Sequence, residues 1–407
     1  MNTNSVDQKL VFRQLLSYLP KSRLSCPSYN YDYRKLTDDS LMSIFILSNL
    51  FQWKSLSQIE VAIRSKKEIQ ESLNVDSISA SQISRRLREL DTSILSEILG
   101  RIAYTFWKHQ PNAKGPNPNV GLLRIIDSSF IKLPHYASDW TAVSKDSSGV
   151  KLHLSLAVAS SKDVFPEKMI PSTSNVADID VVNYFIDCDE ATYVMDRGYG
   201  EETKMGGWLE RKVKFLVRIK KNAKLTILNE LGSNHPNVSR HAIVQLSMRP
   251  DKLKLLEFTD KEGTLFRILS NRLDLSEEDI MDTYKNRWFI ELFFKWLKQH
   301  IKMDHMFSRD PIGIWNQLFI ALITFGLLQI MKLRKKSRRT IWKFLEVLRE
   351  YLLIPWGEAA KEFNRPRKKS KGRQKVREKI PKLRNYGEDV AVVSSIAKEH
   401  YEKKQSK

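Results

Sequence analysis

Cysteine is almost absent. The 407 residues contain two, Cys26 and Cys188, and neither has a His or a second Cys nearby at a zinc-ligand spacing. A disulfide scaffold and a structural zinc finger are thereby excluded. Acidic residues are also in short supply, with 47 Asp and Glu against 68 Lys and Arg, a net charge of +21 and a sequence pI of about 9.7. That excess calls for an anionic partner, and nucleic acid is favoured over an acidic membrane surface because neutralised phosphates release counterions. The chain does not open on a basic start followed by an apolar run, and its longest apolar stretch, Leu318 to Leu328, falls short of the roughly 20 residues of a membrane span. The expectation is a cytoplasmic protein without a membrane partner. Apolar residues are plentiful, at 42%, enough to build cores and to exclude a wholly disordered basic chain.

The chain divides by pattern. Residues 1–110 read as a helical domain, with apolar positions at helical spacing from Leu41 onwards. Within it, Asp76-Ser77-Ile78-Ser79 supplies N-cap residues for a short helix, on which Arg85 and Arg86 are placed outward as phosphate contacts. An ordinary solvated helix face would read the same way. A Pro-, Gly- and Asn-rich linker runs from Gln110 to Asn119. Over 120–222 the pattern turns to strands, at Leu122–Ile126, Val150–Val158, Thr192–Met195 and Lys214–Ile219, with helical stretches near 176–186 and 201–211. Strands alternating with helices predict an α/β fold, a mixed sheet flanked by helices. Residues 223–271 read as a β-rich insertion with strands at 242–246, 253–258 and 265–269, and 272–330 as the second part of the core, helical from Ser276 past His300. A core helix is expected from Trp315 to Leu333, and 331–407 is a C-terminal helical region ending in a basic tail. In that tail, Arg365 to Arg384 holds eleven Lys or Arg and one acid, Glu378. Such a block is a solvated segment that also suits sequence-independent phosphate binding.

The helix through Glu291 carries the chemistry. At about 100° per residue, and with Tyr284 at zero, Arg287, Glu291 and Lys298 fall at roughly −60°, −20° and −40°, one narrow stripe that Lys295 and Lys302 join. Most of the remaining arc is apolar, from Phe289 and Ile290 to Trp296 and Leu297, so the helix is expected to be packed on most sides with its polar stripe lining a cleft. Ion pairs of Glu291 with Arg287 or Lys295 would be worth only about 0.2–0.5 kcal/mol each. One carboxylate among four cations and a Tyr instead suits a metal-binding acid beside phosphate-binding groups. Asp127 and Asp196 each directly follow an apolar strand, where ligands gather in sheet-based folds, although a turn or cap role fits either residue too. Hard oxygen ligands of this kind select Mg²⁺ or Mn²⁺. His153, within Gly149-Val150-Lys151-Leu152-His153, either faces the site or is a satisfied strand histidine.

The spacing Tyr284-x2-Arg287-x3-Glu291-x6-Lys298 resembles the Tyr-Arg-Glu-Lys signature of the insertion-sequence-4 family of DDE transposases, and the run from Tyr284 to His300 is similar to that family's stretch around its acid. Asp127, in Ile125-Ile126-Asp127-Ser128, and Asp196, in Asp196-Arg197-Gly198-Tyr199, look like the family's first and second acids. The resemblance spans roughly residues 120–330 and implies an RNase H-like core carrying a β-rich insertion. It implies a DNA transposase that binds the ends of its element and performs cut-and-paste cleavage and strand transfer on double-stranded DNA, as a homodimer or larger synaptic complex. Asp127, Asp196 and Glu291 would hold two Mg²⁺ or Mn²⁺ ions, and Tyr284, Arg287 and Lys298 would grip phosphate near the cleaved end. The rival expectations are a non-catalytic DNA-binding protein derived from a transposase, and an RNase H-like nuclease that cuts without joining.

Overall fold

The computed structural model describes residues 8–21, 24, 35–133, 139–144, 147–160, 163–247, 249–301 and 305–365, so the basic tail lies, apart from Arg365, outside the described residues. Among the described residues six helices, Val11–Leu16, Asp38–Phe51, Leu56–Ser65, Lys67–Leu73, Ala80–Glu89 and Thr92–Lys108, form the N-terminal region. Their starts are written in side chains that take up free backbone donors: Thr37 accepts from the Ser40 N–H, and Ser79 with Gln82 makes a reciprocal capping box.

These helices do not close a core of their own. The Pro311–Arg334 helix, started by Asp310 and with Pro311 in its first turn, runs through the middle of them. Asn316 donates to the carbonyls of Leu87 and Leu90 at 2.8 and 2.7 Å, and Asn49 donates to Thr324 at 3.1 Å. Gly326 permits the closest approach, since a Cβ there would lie 2.9 Å from Ile102. Residues up to Asn364 therefore make one compact unit, where a separate 1–110 domain was expected. The 24-residue helix is also long and apolar enough to cross a bilayer by composition, which corrects the expectation from run length, but 94% of its apolar window is buried inside the protein.

The centre is a ten-stranded mixed sheet. In chain order the strands are β1 Leu123–Leu133, β2 Ala142–Ser144, β3 Ser147–Val158, β4 Val164–Thr173, β5 Thr192–Met195, β6 Lys214–Arg218, β7 Leu225–Glu230, β8 Val238–Leu246, β9 Leu253–Thr259 and β10 Leu265–Ser270. β1, β5 and β6 run parallel, β3 is antiparallel to β1 and to β4, and β10 returns antiparallel beside β6. The segment 223–271 is β-rich as expected, and its strands extend this same sheet. Along β5 the side chains alternate between two cores, Val194 packing with the helical side and Tyr193 and Met195 with the other.

Two local expectations are corrected, the end of β1 and the single helix through Glu291. β1 continues to Leu133, so Asp127 lies inside the strand and not after it; the long antiparallel partner β3 carries the pairing through the polar residues. The linker before β1 is tied down, Asn117 and Asn119 both donating to Asp279. The helix expected from Ser276 past His300 is two, Glu277–Lys285 and Trp288–His300. At the joint the Asn286 side chain takes the Asp282 carbonyl, and the Asn286 N–H turns to Thr283.

Candidate active site

The register of two parallel strands sets the first two acids side by side. β5 ends with Met195 opposite Ile126, so Asp196 emerges beside Asp127, and from Asp127 onwards that edge of β1 has no strand partner among the described residues. The third acid comes from the Trp288–His300 helix, which packs over β1 and carries Glu291 in its first turn. Asp127, Glu291, Lys295 and Lys298 together line an open cleft of about 430 Å³.

Arg287 sits between two of the acids, 3.3 Å from Asp127 and 2.5 Å from Glu291. Tyr284 donates its hydroxyl to Asp196 at 3.0 Å, with Arg218 at 3.9 Å from the same carboxylate. Lys298 donates to the Ser129 hydroxyl at 2.9 Å and the Phe130 carbonyl at 3.0 Å, leaning along β1, while Lys295 is exposed at the rim. Hydrogen bonds and ion pairs thus link Tyr284 to Asp196 and Arg287 to both Asp127 and Glu291, with Lys298 on the same cleft, although these residues come from segments far apart in sequence. The helix is less covered than its apolar arc suggested, since Trp288 is 57% and Leu292 45% exposed.

Burial pushes the Asp127 carboxyl up to about 6, helped by the negative charges of Asp196 and Asp178 and opposed by the Ser128 N–H and Arg287. Burial, together with the charge of Asp196, also raises Tyr284, which stays a neutral donor. An acid so strained towards neutrality suits a cation, and the donor set is hard carboxylate oxygen, which fits Mg²⁺ or Mn²⁺. As they stand, no three acidic or imidazole groups converge on one point among the described residues, and Arg287 supplies the positive charge between Asp127 and Glu291.

Two expectations change. Arg86 is not an outward phosphate contact: it is 4% exposed, its guanidinium 2.5 Å from Asp38 and bonded to the Leu36 carbonyl, because the chain before the Asp38–Phe51 helix covers that face. Arg85 does project, with its side chain 63% exposed. His153 is fully buried on β3, its Nε2 2.9 Å from the Ser172 hydroxyl and its Nδ1 3.3 Å from Asp178. It touches the site through that aspartate, which no sequence pattern singled out. Asp178 opens a one-turn helix in a polar stretch after β4, and only the β3–β4 pairing shows that it lies beside the acids.

Residues 118–327 match the family model described as the Transposase DDE domain. Among curated proteins, the chain is similar to a probable transposase for insertion sequence element IS5377 of Geobacillus stearothermophilus, 25% identical over 79% of this chain and 84% of that protein. It is 27% identical to the putative transposase y4zB of Sinorhizobium fredii, over 56% of this chain and 65% of that protein. It is 26% identical to a putative transposase for insertion sequence element IS4SA of Synechocystis, over 39% and 46%. Among solved structures, a piggyBac transposase synaptic complex with hairpin DNA aligns at a TM-score of 0.42 and 13% identity, over 90% of this chain and 84% of that one.

Proposed function

Since the chain belongs to the family of transposase DDE domains and is a DNA transposase by that membership, we propose that it binds the ends of its insertion sequence and performs cleavage and strand transfer in the Asp127–Asp196–Glu291 cleft. The observation that carries this is the linked set at the open end of β1: Arg287 bridges Asp127 and Glu291, Tyr284 holds Asp196 beside them, and Asp127, Glu291 and Lys298 line the open cleft. The strand order β4-β3-β1-β5-β6, with β1, β5 and β6 parallel, supports an RNase H-like core.

Asp127, Asp196 and Glu291 would hold two Mg²⁺ or Mn²⁺ ions, whose chemistry is to lower the pKa of an attacking water or 3′-hydroxyl and to neutralise charge on the leaving oxygen. The protein side chains position the phosphate. Arg287, released from Asp127 and Glu291, offers a forked pair of donors to a phosphate, and Lys298 and Lys295 add charge along the groove. Tyr284 holds Asp196 in its orientation as a neutral donor. No protein nucleophile is needed, so the acceleration rests on placement and charge. Arg85 on the Ala80–Glu89 helix, at residues 1–110, and the basic tail would contribute phosphate contacts on the DNA ends. Two chains would bring two ends together, in the cytoplasm and on the nucleoid.

The test is excision from a donor plasmid carrying the native flanking DNA in Mg²⁺, comparing wild type with Asp127→Ala. Excision at the flank boundary by wild type alone supports the reading. Binding of the flanks with no excision by either protein favours a DNA-binding descendant, and cutting without joining favours a nuclease.

A further inference from the structure

We propose that Asp178 is a fourth carboxylate of the acidic centre, which takes part with Asp127 and Asp196 in holding a divalent cation. The inference rests on the reading of those two acids as cation-binding groups and extends it to a residue that neither the signature nor the family match assigns.

Asp178 reaches the site from the opposite side of the sheet to Glu291. Its neighbours Ile179 and Val181 pack in the core that contains Ile126 and Tyr193, whereas Ile290 and Phe293 beside Glu291 pack in the core that contains Ile125. Two faces of a sheet are normally sealed from each other by paired strands. Here β5 stops at Met195 opposite Ile126 while β1 runs on to Leu133, and the seal is open at the position of Asp127. Carboxylates from both faces therefore share one gap.

The two oxygens of Asp178 have different surroundings. Oδ1 lies 3.3 Å from Lys151 Nζ and 3.3 Å from His153 Nδ1. Oδ2 faces the loop that carries Asp196, only 3.6 Å from where a Cβ on Gly198 would stand. One oxygen is thus anchored on β3 and the other is presented to the second acid's loop. Burial would raise this carboxyl, but the neighbouring His153 and Ser128 and the charge of Lys151 outweigh it and hold it at about 2.

The independent sign of a ligand is Tyr199. Its side chain is 1% exposed, and its hydroxyl has no hydrogen-bond partner among the described residues. The charges that act on that hydroxyl are those of Asp178, Asp127 and Asp196, in that order. A buried hydroxyl left unsatisfied within the field of three carboxylates is costly unless another group partners it. A hard divalent cation with its water shell satisfies all of these oxygens together. A purely structural ion pair with Lys151 leaves Oδ1 buried without a hydrogen bond among the described residues and gives no account of the Tyr199 hydroxyl.

The experiment titrates Mn²⁺ alone into the full-length chain and follows free Mn²⁺ by its paramagnetic resonance signal, for wild type, Asp178→Asn, Asp127→Asn and Lys151→Met. Asp178→Asn keeps the shape and the contact with Ser128 but loses the charge, and its Mn²⁺ affinity is expected to fall by about tenfold or more. Lys151→Met, which removes only the anchoring partner, should stay within about threefold of wild type by the same reasoning. Wild-type affinity in Asp178→Asn, with a loss in Asp127→Asn, overturns this inference and leaves the wider reading standing. No loss in either variant, or no binding by wild type, overturns both. Should Asp178→Asn fail to fold, iron-mediated radical cleavage of the wild-type backbone decides: cuts near residues 127, 178 and 196 support the inference, and cuts near 127 and 196 without 178 overturn it.

Discussion

Two arginine–aspartate pairs in this protein share their chemistry and differ in everything else. Arg86 and Asp38, in the N-terminal helical region, are 2.5 Å apart with both side chains 5% exposed, and Arg86 also bonds the Leu36 carbonyl and Glu89. Arg287 and Asp127, in the cleft, are 3.3 Å apart with side chains 15% and 20% exposed, and Arg287 divides itself between two acids. The first arginine has its donors spent inside the protein. The second stands at an opening where a phosphate can compete for it. An ion pair therefore says little until its burial and its remaining donors are known.

The largest contrast should appear in cleavage. Asp127→Asn or Glu291→Gln should lower strand cleavage by about 10³-fold or more, since a preorganised charge at the reacting phosphate is removed. Gel-shift titration of the element ends should show binding nearly intact, and a large loss of binding would remove the metal-ligand role. Stability should show the reverse order. Arg86→Met leaves Asp38 buried without its cation and should cost about 3–5 kcal/mol, whereas Arg287→Gln should melt close to wild type and weaken DNA binding instead. Equal melting losses in the two variants would erase the distinction between the pairs.

A smaller effect follows from the raised carboxyl of Asp127. With a folded value of about 6 against an ordinary 3.8, this group favours the folded state most below pH 3.8, and that contribution is lost as pH rises through about 6. Metal-free Asp127→Asn should therefore melt a few degrees above wild type at pH 7.5, with the advantage gone at pH 4. Melting curves at the two pH values check the sign, and a constant difference would mean the carboxyl is not under strain. Smallest is Lys298→Ala, which should reduce the salt slope of DNA binding by about one counterion. An unchanged slope would mean that Lys298 serves β1 alone, through Ser129 and Phe130.

The contrast between the pairs also marks what sequence patterns can reach. The stripe of Tyr284, Arg287, Glu291 and Lys298 was legible because helical spacing orders them, and the break at Asn286 bends that order without scattering it. Asp127 and Asp196 were legible by the apolar runs before them. Arg86 was misread because a helical wheel knows one helix, and the covering chain at Leu36 and Asp38 comes from about fifty residues earlier. β7 went unseen because it is almost wholly exposed and lacks a buried alternation. Asp178 sits among Ser, Asn and Asp, where only tertiary pairing gives it a role.

The Pro311–Arg334 helix has a consequence in time. The helices of Asp38–Lys108 emerge first during synthesis, yet the side chains that fill their core and cap Leu87 and Leu90 arrive some two hundred residues later. Until then their apolar faces have only one another, a state prone to capture by chaperones and proteases. Glu291 is made only a short way ahead of that helix, so the last acid and the helix that fills this core are completed almost together, with Phe344 to Phe363 still to follow. A gene copy cut short between Glu291 and residue 334 keeps all three acids and loses the helix that packs the region holding them, so its chemistry fails through its fold.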